Sequence, residues 1–115
     1  MARGAIKSRP ATKKRQFDQI ADEIKALKQA SRKYPEASYK WRAVLDHLKV
    51  VRSIISYWVK GEDIDENDLI YQIGTLSDAM IEIEDFFYEM DEHEPALIRK
   101  SKSLVVKIVN AQQGI

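Results

Sequence analysis

The sequence predicts an all-α fold, an antiparallel four-helix bundle with up-down-up-down connectivity and a flexible basic arm at its N-terminus. Three observations carry that prediction. The first is an unbroken apolar seam, Leu69, Ile73, Leu76, Met80, Ile83, Phe87 and Met90, which advances in steps of four and three, as the buried face of a helix does. The second is that three further segments repeat the pattern. The third is that Pro35, Gly61 and Pro95 separate these segments by short links, and short links make consecutive helices antiparallel neighbours.

Residues 1–14 (MARGAIKSRPATKK) combine bases with Gly4 and Pro10 and carry little apolar content. They bury too little surface to offset the entropy of ordering, so they are expected to form the arm, with residues 15–115 as one domain. In the first helix Phe17, Ile20, Ile24, Leu27, Ser31 and Tyr34 repeat at helical spacing. Pro35 ends the pattern, because the residue before a proline avoids the helical region, which predicts a helix from Thr12 to Lys33. The second helix presents Trp41, Val44, Leu48, Val51, Ile55 and Trp58, widened by Leu45 and Val59, and stops at Gly61. Asp65 is the expected N-cap of the third helix, with Asp68 in the capping-box position and Ile64 and Leu69 spaced as a hydrophobic staple. That helix is expected to end near Glu92. Pro95 fits the first turn of the fourth, whose apolar positions are Leu97, Leu104, Ile108 and Ala111, flanked by Ile98, Val105 and Val109, with Gly114 closing it.

The seams converge on Leu48, Ile55, Ile73, Met80, Ile83 and Leu104, which are expected among the most buried side chains. Gly74 and Ser77 lie on a second edge of helix three with Ile70, Ile81 and Tyr88. A mid-helix glycine costs about 1 kcal/mol, which suggests that a neighbouring helix approaches there. Two charges fall inside apolar arcs. Counting back through tight links sets Arg52 level with Asp18 and Glu84 level with Arg42, and both pairs are expected as ion pairs.

Composition narrows the function classes. With no cysteine among 115 residues there is no disulfide, thiolate zinc site or cysteine nucleophile. No apolar run approaches membrane-spanning length and no signal peptide is visible, so a cytoplasmic protein is expected. A net charge of +1 conceals a marked polarity along the chain. Residues 1–60 hold 15 Lys and Arg against 5 Asp and Glu, a net +10, whereas residues 61–115 hold 4 against 13, a net −9. Between Asp65 and Glu94 there is no lysine or arginine at all.

Several local patterns bear on chemistry. Asp63, Asp65 and Asn67 match the first three ligand positions of an EF-hand loop, but Asp68 stands where the loop needs glycine and Gly74 where it needs glutamate, so capping is the expected role. His47 and His93 lack a carboxylate–histidine repeat. Glu89 and His93 are four apart and could share a metal, but no metal or cofactor is expected. Arg42-Ala-Val-Leu-Asp-His47 resembles the arginine, four residues, histidine spacing of the HEPN family of helical ribonucleases, which implies an RNA-cleaving role for Arg42 and His47. On one helix those two side chains diverge by about 140°. No glycine-rich phosphate loop or serine nucleophile elbow is present, and a non-enzymatic role is expected.

The bases supply the functional expectation. Arg3, Lys7, Arg9, Lys13, Lys14 and Arg15 of the arm, continued by Lys25, Lys28 and Arg32 on helix one, form an electrostatic footprint for nucleic acid or an acidic assembly. Arg42, Lys49 and Lys60 extend it over helix two. The competing reading is that the helical bases pair within the monomer with helix three. Glu82, Asp85, Glu89 and Glu92 are expected to dock a protein partner. The rival to this interaction protein is a small regulator of phage or plasmid type that presents its acidic helix to a basic nucleic-acid-binding site. Self-association of basic with acidic halves is a further expectation.

Overall fold

Each apolar stripe forms its helix. The computed structural model describes residues 9–90 and 94–115, and in it α1 spans Pro10–Ala30, α2 Ser38–Val59, α3 Glu66–Glu89 and α4 Pro95–Ala111, with a 3-10 turn at Pro35–Ala37. Arg3, Lys7, Glu92 and His93 lie outside the described residues. The helices form a ring in which α1 packs on α2 and α4, and α3 packs on α2 and α4. Side-chain contacts fix the directions. Asp18 meets Arg52 and Ser31 meets Trp41, Lys40 meets Glu82 and His47 meets Thr75, so residue numbers rise on one helix as they fall on the next.

The core lies along the axis of the ring. Phe17, Ile24, Val44, Val51, Leu69, Ile73, Met80 and Ile83 are at most 1% exposed, and all six side chains expected at the convergence of the seams are buried. Both ends of the bundle are tied across α1 and α4. At one end the Tyr34 hydroxyl donates to Glu94 Oε1 at 3.0 Å, and Lys33 forms an ion pair with the same carboxylate. These two hydrogen bonds, Lys33 first, hold the Glu94 carboxyl below its ordinary value. The Tyr34 ring stands edge-on to Phe86 at 6.3 Å, so the corner is aromatic as well as ionic. At the other end Lys13 Nζ donates to Ala111 O and Gln113 O, each at 2.7 Å.

That second tie moves the boundary of the arm. Arg9 is extended as the N-cap and Pro10 occupies the first helical turn, where its fixed φ suits the helix and its missing N–H costs nothing. Residues 10–14 are therefore part of α1 rather than arm. The far end of α1 also stops at Ala30, short of Lys33, because Ser31 leaves the helix to accept from Trp41 Nε1 at 3.0 Å while donating to Lys28 O. Likewise α3 stops at Glu89.

The caps follow the sequence. Asp65 Oδ1 accepts from the backbone of Asn67 at 3.0 Å and of Asp68 at 3.2 Å. Gly61 adopts φ 89°, and its N–H reaches Trp58 O at 3.0 Å while Glu62 N–H reaches Tyr57 O at 3.1 Å. Those two bonds make a Schellman motif, in which glycine takes the left-handed position without a Cβ penalty.

Two expectations about α3 are corrected. Glu84 and Arg42 form no ion pair among the described residues. Thr75 and Glu82 define the α2 side of α3, whereas Glu84 acts on Lys102 of α4. Arg42 in turn points about 160° away from Lys40, the residue that reaches α3. The contacts of Lys40 with Glu82 and of His47 with Thr75 set Glu84 level with Ser38, about one turn from Arg42, and the faces differ as well. At Gly74 no helix backbone closes in. A Cβ there would meet Gln112 Nε2 at 3.5 Å, an ordinary contact, and that amide already donates to Ile70 O at 2.7 Å. Gly74→Ala is therefore expected to stabilise the bundle by up to about 1 kcal/mol, read as a higher urea midpoint at unchanged slope.

Candidate nucleic-acid interface

Arg52 Nη2 and Asp18 Oδ1, 2.8 Å apart, mark the line where α1 and α2 meet. On a helix turning about 100° per residue, Lys14 and Lys25 project within about 40° of Asp18 and Lys28 within about 80°. Across the groove Lys49 projects within about 60° of Arg52. All five of these cations are exposed, and so is Arg32 in the turn after α1. The bases of two helices thus border one groove, because both apolar stripes turn the same flank outward.

A cleft of about 380 Å³ opens in this groove. Phe17 and Ile55 supply its apolar floor, Lys14, Lys49 and Arg52 its cations, and Ser53 and Ser56 two hydroxyls. Asp18 is its single acid, tied to Lys14 Nζ and Arg52 Nη2 at 2.8 Å each. The hydrogen bond from Lys14, with Arg52 adding to it against a partial burial cost, lowers the Asp18 pKa. Three cations against one carboxylate leave the cleft net positive, and hydroxyls beside guanidinium and ammonium groups suit a phosphate oxygen. The two serines escaped the sequence reading. Their signal was the helical spacing that puts Ser56 four residues beyond Arg52.

Of the residues expected to meet nucleic acid, Arg9 is exposed at the N-cap. Lys14 is half-committed to Asp18, and the Arg15 guanidinium reaches only Thr12 Oγ1 at 3.5 Å. Lys25, Lys28 and Arg32 are exposed and form no ion pair among the described residues. Lys13 is the exception. It is 2% exposed, spent on the C-terminal carbonyls of α4, and burial pushes its ammonium pKa down. It belongs to the core and not to the interface.

The acidic surface is elsewhere. Asp78, Glu82, Asp85 and Glu89 recur at helical spacing along α3 and are exposed, and α3 occupies the corner of the ring diagonal to α1. Among the described residues only Glu82 of these four has an ion-pair partner, Lys40 at 3.7 Å. Neutralisation within the monomer therefore accounts for little of the charge among the described residues: no α1 base is ion-paired with α3, and of the other four ion pairs two join α1 to its neighbours, one lies within α1 and one joins Lys33 to Glu94.

The other chemical candidates do not assemble. Arg42 is exposed, whereas His47 is half-buried against α3, its Nδ1 3.4 Å from Thr75 Oγ1, so the two are on different flanks of α2. Asp65 is engaged as a cap. No three His, Asp or Glu side chains converge as metal ligands among the described residues, nor is any described helix long and apolar enough to cross a membrane. Comparison of the chain with protein-family models, with curated proteins and with solved structures gave no match.

Proposed function

We propose that the chain is a non-enzymatic interaction protein that lays its arm and the α1–α2 groove along the phosphates of a nucleic acid and offers α3 to a protein partner. One observation carries the reading: Lys25, Lys28 and Arg32 are exposed, free of ion pairs among the described residues, and diagonal to the carboxylates that would otherwise neutralise them. In sequence Arg3 and Lys7 precede the exposed Arg9, and Lys49 and Arg52 add to the exposed bases from α2. The reading implies a cytoplasmic site of action.

Each phosphate neutralised by a cation releases counterions, which makes affinity fall with salt. Binding of the full chain to a duplex is therefore expected to weaken steeply with ionic strength. Replacing Lys25, Lys28 and Arg32 by alanine should make the slope of log affinity against log salt shallower by up to about 2.7 for a duplex, or about 2.1 for a single strand, if all three meet phosphate. The measurement is a salt titration by fluorescence anisotropy, with the Arg3, Lys7 and Arg9 triple-alanine variant in parallel. Unchanged slopes in both variants would sink the reading.

A second reading has its own support in the exposed stripe of Asp78, Glu82, Asp85 and Glu89. A helix with four nearly unneutralised carboxylates on one line can present itself to a basic site on a nucleic-acid enzyme. Loss of a protein partner on neutralising Glu82 and Glu89, with no nucleic-acid binding to begin with, would select that regulator.

A further inference from the structure

The face made jointly by α3 and α4 has an apolar strip that the monomer leaves open. Ile81 is 39% exposed, Val106 56% and Val109 39%, and Val105 is half-buried between them. The antiparallel register places these side chains together. Gln112 reaches Ile70 and lies over Gly74, so Ser77 and Ile81 stand level with Val109 and Val105. A contiguous exposed aliphatic strip of this kind marks an interaction surface.

The charges beside the strip identify what covers it. From Glu66 to Glu89 α3 contains no base, and from Pro95 to Ala111 α4 contains no acid. We propose that this face is an interface with a second copy of the chain, related by a two-fold axis parallel to the bundle. That operator sets α3 of one copy opposite α4 of the other, closes the two apolar strips on each other, and brings Asp85 level with Arg99 of the second copy, twice by symmetry. A two-fold axis across the bundle would instead oppose α3 to α3, carboxylates against carboxylates, and is disfavoured by its own charge.

Size sets the strength to expect. The 17 residues of α4 are about 26 Å long, and two adjacent helices are about 20 Å wide, so about 500 Å² of each copy faces the other. That falls at the small end of specific interfaces, the range of weak and transient associations, so the dimer is expected to be reversible. The two-fold leaves the α1–α2 groove of each copy on the outside, so the dimer stands independently of the nucleic-acid reading.

Sedimentation equilibrium of the full chain, without nucleic acid, from about 1 μM to about 1 mM tests it. A concentration-dependent monomer–dimer equilibrium is expected. Val106→Asp, at a position already exposed, should raise the dissociation constant at least about tenfold with unchanged helicity by circular dichroism. Asp85→Lys and Arg99→Glu should each weaken the dimer by about tenfold, since each alters two contacts, and the double variant should recover most of the loss. A monomer across the whole range overturns the proposal. So does a dimer that ignores Val106→Asp and is broken by Lys25→Glu, which would be basic groove against acidic stripe.

Discussion

Ile83→Ala is expected to lower the free energy of unfolding by about 2 to 5 kcal/mol, with the urea midpoint falling at constant slope. Ile83 is 0% exposed and stands on the α3 seam between Met80 and Phe87, which are as deeply buried. Truncation removes the transfer free energy of the lost methylene and methyl groups and leaves a cavity besides. The surroundings have little freedom to collapse into it, because α1 and α4 are pinned at both ends, by Lys13 on Ala111 and by Tyr34 and Lys33 on Glu94. The upper half of the range is therefore the more natural expectation. Ile81, two residues away, is the internal comparison. It shares the helix and the chemistry but is 39% exposed, so Ile81→Ala measured on dilute monomer should cost less than about 1 kcal/mol. Equal losses at the two sites would mean that α3 does not present its seam to the core.

That contrast shows what was legible in the sequence. Burial repeats with the period of the helix, so Leu69 to Phe87 announces both an element and its inward face, and the proline and glycine links announce its ends. The ion pair of Arg52 with Asp18 was legible for the same reason, since one tight link fixes the level of each residue and the wheel fixes the face. Glu84 shows where the method stops. Level was missed by about one turn; a helix in a four-membered ring also has two flanks, and a sequence does not say which neighbour lies on which. Glu84 is on the α4 flank, whereas Arg42 is exposed on the side of α2 turned away from α3.

The basic groove was half legible. Charge along α1 is visible in the sequence, yet the joining of Lys14 and Lys25 with Lys49 and Arg52 needs the placement of α1 against α2, and the hydroxyls of Ser53 and Ser56 carry no signal until that groove exists. Gly74 misled for a related reason. Its cost to helix propensity was real, but what approached it was the amide of Gln112, 38 residues away in sequence and beyond the reach of local argument.

Lys13 is the most instructive miss, and it yields the second large effect. It sits four residues before Phe17, in register with Phe17, Ile20 and Ile24, a core position that its charge and its assignment to the arm concealed. The conflict resolves at the C-terminus of α4, where the last carbonyls have no intrahelical donors. The ammonium donates to Ala111 O and to Gln113 O in the turn that follows, each at 2.7 Å, and its positive charge meets the negative end of the helix dipole. Lys13→Met keeps the buried stem and removes only the charge and the donors. Orphaning carbonyls that accepted from a charged group costs about 1 to 3 kcal/mol, and relief of the buried ammonium's desolvation offsets part of it. A net loss of about 1 to 2 kcal/mol is expected near neutral pH, with faster amide exchange at the end of α4. The pH dependence has a definite sign. Burial lowers the Lys13 pKa in the folded chain below its ordinary 10.5, so the unfolded chain holds the proton more tightly. Stability is then gained as pH rises from the lowered value towards 10.5 and lost as it falls back through it. The wild type should show this rise and Lys13→Met should lack it, so the gap between them should widen with pH in that window. A gap that narrows instead would mean that the carbonyls hold the ammonium charged more strongly than burial opposes it.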